Sequence, residues 1–300
     1  MTAPPIHILA LIASSIVGGG FVLLAVLATV PSLRHKSFEL MRTLLSAALI
    51  LLCLIAVFMM GPQMRLAALT LAGARIGYEI ATLRLPGEKT LRLPGEKHVL
   101  LVAIGTAALT LVSVLYTPVA LACAGLWFVL LGRVAILQGT KMPALPDMLL
   151  FPILPFALLA HGAVAADLAP LMLASYVLVE IFDSFALLFG SLWGRTKAFP
   201  SLSPNKTIEG LAGGTLCLLI AAIGAALIWH IALLPALVTV LLIGALAIAG
   251  DLTASRHKRI AKVKDYPRML PRQGGLLDSL DSWIAAGAGL TTLHLMVSMW

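Results

Sequence analysis

Long apolar runs separated by short polar stretches dominate the chain. Runs with few charges fall at about 8–30, 43–60, 64–82, 98–115, 119–138, 148–162, 169–192, 211–231, 236–250 and 283–299. At about 1.5 Å of rise per residue, most of these would reach across the roughly 30 Å hydrocarbon core of a bilayer as helices. Helices satisfy their own backbone hydrogen bonds, which lipid cannot do for them. The pattern therefore predicts an all-α, polytopic transmembrane helical bundle of about 8–10 spans. The weakest runs are 64–82, which carries Arg65, Arg75 and Glu79, and the short segments 148–162 and 236–250.

Composition supports this reading. The 300 residues are 60% hydrophobic and 11% charged, with a mean hydropathy of +1.03. A soluble domain carries about a quarter charged residues, so a water-soluble fold is excluded. The net charge of +8 could serve nucleic acid or anionic headgroups. Aromatics are sparse and no soluble domain is available to present a basic face, so the basic residues are assigned to membrane-facing loops and no nucleic-acid partner is expected. Cys53, Cys123 and Cys217 stand singly in apolar runs, which argues against disulfides and zinc. The N-terminal run lacks a basic leader and is long enough to span, unlike a cleavable signal.

Charge placement sets the expected orientation. Arg34, Lys36 and Arg42 fall in one loop, Arg84, Lys89, Arg92 and Lys97 in another, and Lys141 in a third. Arg195, Lys197 and Lys206 fall in 193–210. Arg256, Lys258, Arg259, Lys262, Lys264, Arg268 and Arg272 fall in 251–282. Only Arg65, Arg75 and Arg133 of the 21 basic residues lie within spans. These are alternate loops, so the positive-inside rule places all of them in the cytoplasm and both termini outside. The expected division is 1–165, N-terminal transmembrane helices, and 166–300, a catalytic transmembrane region with cytoplasmic loops 193–210 and 251–282. The octapeptide Thr-Leu-Arg-Leu-Pro-Gly-Glu-Lys occurs at 82–89 and again at 90–97, a local duplication in a tolerant loop.

Acidic residues in spans are costly and mark functional sites or buried pairs. Glu79, Glu180 and Asp183 qualify, and the i, i+3 spacing of the last two puts them on one helix face. The segment 250–283 runs from the end of one span to the start of another. Asp251 opens it, Asp278 and Asp281 close it, and its middle is basic. If a helix continues through 277–299, Asp278 and Asp281 share a face at the cytoplasmic mouth. Such a pair suits Mg²⁺, which takes one or two carboxylates and leaves room for substrate phosphates. Lys258, Arg259 and Lys264 could neutralise a polyphosphate, although the basic run taken alone reads better as a solvated cytoplasmic loop. In the stretch Ser203-Pro204-Asn205-Lys206-Thr207, Ser203 is the expected cap of a following helix with Pro204 at its first position, a start that with Lys206 favours an anion. Gly73/Gly77, Gly190/Gly194 and Gly210/Gly214 have GxxxG spacing, which suits close helix packing within the bundle or against a second copy in a homodimer. Pro152 and Pro155 predict a kinked span.

These motifs resemble those of the bacterial phosphatidate cytidylyltransferases (CDP-diacylglycerol synthases). The family's C-terminal signature reads Ser-x-x-Lys-Arg, four residues, Lys-Asp, then Pro-x-His-Gly-Gly-x-x-Asp-Arg-x-Asp. Ser255, Lys258, Arg259, Lys264, Asp265, Pro271, Gly274, Gly275, Asp278 and Asp281 occupy matching positions. Gly250-Asp251 matches an upstream Gly-Asp. Ser203, Pro204, Lys206, Thr207, Glu209 and Gly210 match Ser-Pro-x-Lys-Thr-x-Glu-Gly. Asp183 with Gly194-Arg195 resembles an Asp and Gly-Arg/Lys loop, and Tyr78-Glu79 an aromatic-Glu pair. The resemblance is firm over about 180–283. The chain departs from it at Ala254, where the family has Glu, at Gln273, where it has His, and at Ser279, where it has Arg.

The resemblance implies an integral membrane enzyme of the bacterial inner membrane with its active site facing the cytoplasm. It would transfer CMP from CTP to phosphatidate, giving CDP-diacylglycerol and pyrophosphate for phospholipid biosynthesis. Asp251, Asp278 and Asp281 would hold Mg²⁺, alone or with a second cation, with Asp183 as a further ligand. Lys206, Lys258, Arg259 and Lys264 would hold CTP phosphates, and Arg195, Lys197 and Ser203 the lipid phosphate or the nucleotide. Thr207, Glu209, Asp265, Gln273, Gly274 and Gly275 would complete the binding positions. Two enzymatic alternatives stay open: a divergent or weakly active relative acting on another lipid phosphate, and a CTP-dependent kinase of a polyprenyl or phytyl-type alcohol. A transporter fits least, because the polar residues gather at cytoplasmic helix ends rather than at the midplane.

Overall fold

A computed structural model describes residues 6–30, 34–85, 95–136, 142–269 and 274–298. The helices are α1 (Ile6–Leu27), α2 (Arg34–Met59), α3 (Pro62–Arg84), α4 (Gly95–Leu115), α5 (Thr117–Ile136), α6 (Ala144–Met148), α7 (Leu154–Val164), α8 (Ala169–Trp193), α9 (Ile208–Trp229), α10 (Leu233–Ile260) and α11 (Leu276–Val297). A π-helical turn, Leu149–Ile153, joins α6 to α7. Strands β1 (Lys197–Phe199) and β2 (Ser203–Thr207) pair antiparallel as a short hairpin between α8 and α9.

The protein is an all-α integral membrane protein. Among the described residues, eight helical segments are long and apolar enough to cross a bilayer: α1, α3, α4, α5, the α6–α7 segment, α8, α9 and α10. Two expected spans fall outside this set. The run at 43–60 lies on α2, whose apolar part is the shorter Ala48–Met59. The run at 283–299 lies on α11, which is buried along most of its length and carries Asp278, Asp281, Ser282, Thr291 and Thr292. An interior helix need not match lipid on its outer face, so its polarity rises without exposing charge to hydrocarbon.

The chain forms two compact units. One comprises Met1–Gly61 with Leu173–Gly244, the other Pro62–Met172 with Ala245–Trp300. In the second unit α7 is the hub, with α3, α4, α5 and α11 packed around it. Phe156 to Ala160 are fully buried, the signature of a helix that is apolar on every side. Pro152 lacks the N–H an α-helix requires, and the chain breaks there, with Phe151 at extended φ/ψ (−158°, 128°). Close approach of α3 and α4 depends on small residues. A Cβ at Gly77 would lie 2.5 Å from Thr106 Oγ1 and 2.9 Å from the Val102 carbonyl. Buried polar groups tie the unit together: Arg65 donates to the Ala163 carbonyl at the end of α7 (3.1 Å), and Trp283 Nε1 to the Met172 carbonyl (3.1 Å).

In the first unit α8 and α9 meet through the other glycine pairs. A Cβ on Gly210 would sit 2.5 Å from the Ala186 carbonyl, and one on Gly214 2.7 Å from the Phe182 carbonyl. The Gly73/Gly77 and Gly210/Gly214 pairs thus pack helices inside the chain, while of the third pair Gly190 faces Gly210 and Gly194 lies just past α8 against Thr207. The helix cap differs from expectation. Ser203-Pro204 lies in β2, and Thr207 is the N-cap of α9, its Oγ1 accepting the Gly210 N–H at 3.1 Å. Pairing with β1 draws 203–207 into extended backbone, so the helix starts four residues later than a Ser203 cap would place it.

Candidate active site

The segment read as a loop over 251–282 is mostly helix. Helix α10 continues to Ile260 and α11 begins at Leu276. Asp251, Ser255 and Lys258 therefore recur at i, i+4, i+7 on one face of α10, while Arg256 and His257 turn elsewhere. Two residues past the end of α10, Lys262 adopts the left-handed region (φ 58°), and Val263 N–H donates back to the Lys258 carbonyl.

Asp278 organises the turn before α11. Its Oδ2 accepts N–H bonds from Gly275 (2.9 Å) and Tyr266 (2.8 Å), and its Oδ1 accepts from Lys258 Nζ at 2.5 Å. The first of these is the reach-back half of a capping box, from the third helical position to the cap. Lys258 also lies over the Tyr266 ring, 5.5 Å from its centroid. The two side chains hold each other. Tyr266 is almost fully buried, and burial together with the nearby Asp281 and Asp278 holds its phenol well above the ordinary value. It stays protonated and donates to the Ala254 carbonyl at 3.3 Å.

Glu79, from α3, supplies what the glycine cap of α11 lacks. Its two oxygens accept the N–H groups of Leu276 and Leu277, each at 2.8 Å, and it also binds Arg75 Nε at 2.7 Å. Arg75 in turn donates to the Pro267 carbonyl at 2.7 Å, pinning the loop. The Gly-Gly element now has a physical cause. A Cβ on Gly275 would come within 2.3 Å of Glu79 Oε2, and one on Gly274 within 1.9 Å of Asp278 Oδ2. Only a residue without a side chain lets both carboxylates reach the helix start.

Asp281, 5% exposed, lies one turn on, as its i, i+3 spacing from Asp278 requires. Here α10 meets α11: a Cβ on Gly250 would be 2.4 Å from the Asp281 carbonyl oxygen. Asp251, the next residue, and Asp281 are thus carried on touching backbones. Among the described residues no three carboxylate, histidine or cysteine groups gather as a metal-binding cluster. Mg²⁺ takes only one or two protein carboxylates when substrate phosphates complete its shell, the donor set that Asp251 and Asp281 would supply.

The other expected residues of this unit are solvent-facing. Arg259 donates to the Val263 carbonyl (3.1 Å), and Lys264 and Asp265 are exposed. Gln273 lies outside the described residues, as does most of the 82–97 duplication. Of the other two departures from the family pattern, Ala254 is fully buried, and the Ser279 hydroxyl turns back to the Gly275 carbonyl at 3.5 Å.

The remaining expected residues belong to the first unit. Lys206 Nζ is 3.8 Å from Asp183 Oδ1. Glu209 accepts the N–H groups of Arg195 and Thr196 at 3.1–3.2 Å, fixing the turn after α8, so its role is to shape that turn. Arg195 and Lys197 are exposed. Asp183 and Glu180 line an apolar cavity of about 430 Å³ walled by α1, α2 and α8.

A profile of the cytidylyltransferase family matches residues 40–297. The chain belongs to this family. Among similar proteins, the phosphatidate cytidylyltransferase of Staphylococcus saprophyticus is 38% identical over 115 residues, 38% of this chain and 44% of that protein. The phosphatidate cytidylyltransferase of Staphylococcus aureus strain COL is 39% identical over 120 residues, again 38% of this chain and 44% of the relative. An uncharacterized protein of Escherichia coli K12, YnbB, is 43% identical over 117 residues, 39% of each chain. The chain thus matches less than half the length of each of these relatives.

A further polar cluster, in the second unit, carries no such sequence signature. Asp147, fully buried on α6, binds Arg84 (2.8 Å) and Arg256 (2.7 Å) and lies 3.4 Å from His257 Nε2. No periodicity links residues 84, 147 and 256. The one available signal was a carboxylate at the edge of an apolar run with no partner nearby in sequence. Arg75 and Glu79 carried a clearer one, an i, i+4 ion pair inside a span.

Proposed function

We propose that this cytidylyltransferase-family protein transfers CMP from CTP to phosphatidate. A phosphatidate oxygen forms a bond to the α-phosphorus of CTP as the bond to the bridging oxygen of the β-phosphate breaks. The products are CDP-diacylglycerol and pyrophosphate. The observation that carries the reading is the Lys258–Asp278 pair set on the Gly274-Gly275 turn, in the segment that matches the family signature. The attacking phosphate is already anionic at neutral pH, so the protein's task is positioning and charge neutralisation rather than proton abstraction.

In this reading Asp251 and Asp281 hold Mg²⁺, which when bound polarises phosphoryl oxygens and offsets developing charge. Asp278 fixes Lys258, with Tyr266 against its ammonium, so that a cation stands ready for the leaving pyrophosphate. Arg259 and Lys264 add positive charge around the turn. Lys206, Arg195 and Lys197 form a second set of phosphate-binding groups, assigned on charge alone. A cytoplasm-facing site in the bacterial inner membrane would let soluble CTP meet a lipid whose chains stay in the bilayer.

The test is turnover of CTP labelled in the cytidine, with phosphatidate and Mg²⁺, by purified protein in detergent. Labelled CDP-diacylglycerol with pyrophosphate is expected. Labelled CDP with a phosphorylated lipid alcohol would instead indicate a kinase, and no product from any lipid phosphate would overturn the assignment.

A further inference from the structure

The second unit contains a groove of about 580 Å³ walled by α5, α10 and the turn at Leu150–Phe151, reaching Ala285 of α11. Its size suits a lipid-sized ligand. The wall is mainly apolar, with Trp127, Leu131, Leu246 and Ile260 among its members, and its charged residues are Arg133 and Arg256. Gly250, within the α10 wall, is also a lining residue; it precedes Asp251 and packs against the Asp281 backbone, so the groove passes the point where α10 meets α11. We infer that this groove seats the acyl chain of the lipid phosphate, with Arg133 and Arg256 holding its phosphate next to Asp251 and Asp281. The inference rests on the reaction proposed above and names the place of its lipid substrate.

Charge selects this groove over the cavity of the first unit. The charged wall residues of that cavity are Glu180 and Asp183, with no arginine or lysine among its lining, whereas this groove presents two guanidinium groups to an anion. Behind Arg256, the single carboxylate of Asp147 faces two guanidinium groups, those of Arg84 and Arg256, with His257 beside them. The buried cluster therefore holds more positive than negative charge, and an anion at Arg256 restores the balance. Arg133 stands in the last turn of α5, where it complements the helix dipole while its guanidinium remains exposed to a headgroup. Guanidinium groups bind phosphate through two parallel N–H bonds, and a pair of them distinguishes a phosphate monoester from a neutral lipid.

A phosphatidate carrying a photoactivatable diazirine in one acyl chain tests the inference in the purified protein without CTP. Cross-links are expected within 127–134 and 246–260. They should be displaced by excess phosphatidate but not by glycerol 3-phosphate, and they should be absent with the matching diacylglycerol probe. Cross-links on α1, α2 or α8, or equal capture of the diacylglycerol probe, would overturn it. In turnover, Arg133→Gln should raise the KM for phosphatidate about tenfold or more, as loss of a charge-assisted hydrogen bond implies, with the KM for CTP unchanged. An unchanged KM for phosphatidate would also overturn it. Capture in the groove by a protein that makes no CDP-lipid would sink the reaction and spare the site. CDP-lipid formation with capture elsewhere would do the reverse.

Discussion

Lys258 and Asp278 are 20 residues apart in sequence and share one short hydrogen bond. A paired lysine is a fixed lysine: its ammonium cannot wander through the rotamers that an exposed side chain samples. Lys258→Gln is therefore expected to lower kcat by about 10²–10³, the usual cost of deleting one preorganised charge donor. If Asp278 acts on chemistry through Lys258, the Lys258→Gln/Asp278→Asn double variant should be no slower than the worse single variant. Multiplying losses in a double-mutant cycle would show that the two act independently. The acidic and basic members of this group were legible in the sequence, because charges at the edge of apolar runs stand out. Their pairing was not, since it depends on where α10 ends and on the turn at Lys262. Glu79 was visible as a charge in a span, but its partners, the N–H groups of Leu276 and Leu277, carry no sequence signal at all.

At the scale of elements, apolar runs located nearly every helix, and the eight candidate spans overlap runs expected from the sequence. The ends went astray where polar residues continue a helix past the lipid. Helix α10 runs ten residues beyond the expected limit at 250, because Thr253 to Ile260 includes no glycine or proline and so nothing to stop it. The short run at 148–162 turned out to be the hub of its unit, with its start displaced by Pro152. Asp147 secures the junction, gathering the end of α3 and the basic turn of α10 onto α6. Asp147→Asn should destabilise the protein by about 3–5 kcal/mol, as expected when one partner of a buried ion pair is removed. A clear fall in the thermal unfolding midpoint in detergent would register it, and an unchanged midpoint would refute a stabilising role.

At the scale of the whole molecule, the alternation of basic and neutral connections is the strongest guide to orientation. Single cysteines at Ser201→Cys and Arg268→Cys, in a background lacking Cys53, Cys123 and Cys217, should react with a membrane-impermeant maleimide in inverted vesicles only. His230→Cys should react in right-side-out cells only. The opposite pattern would reverse the topology, and labelling of all three from one side would refute the alternation. The bond from Glu79 to the start of α11 has one more consequence, for how the protein is made. The two groups lie 197 and 198 residues apart in the chain, so the final helix emerges from the ribosome long after α3 and must find it already inserted. A fragment expressed from residue 166 onward would carry every signature carboxylate yet lack Glu79, Arg75 and Asp147, and it should be inactive alone. Co-expression with residues 1–165 should restore turnover, in the manner of a split protein reassembling in the bilayer.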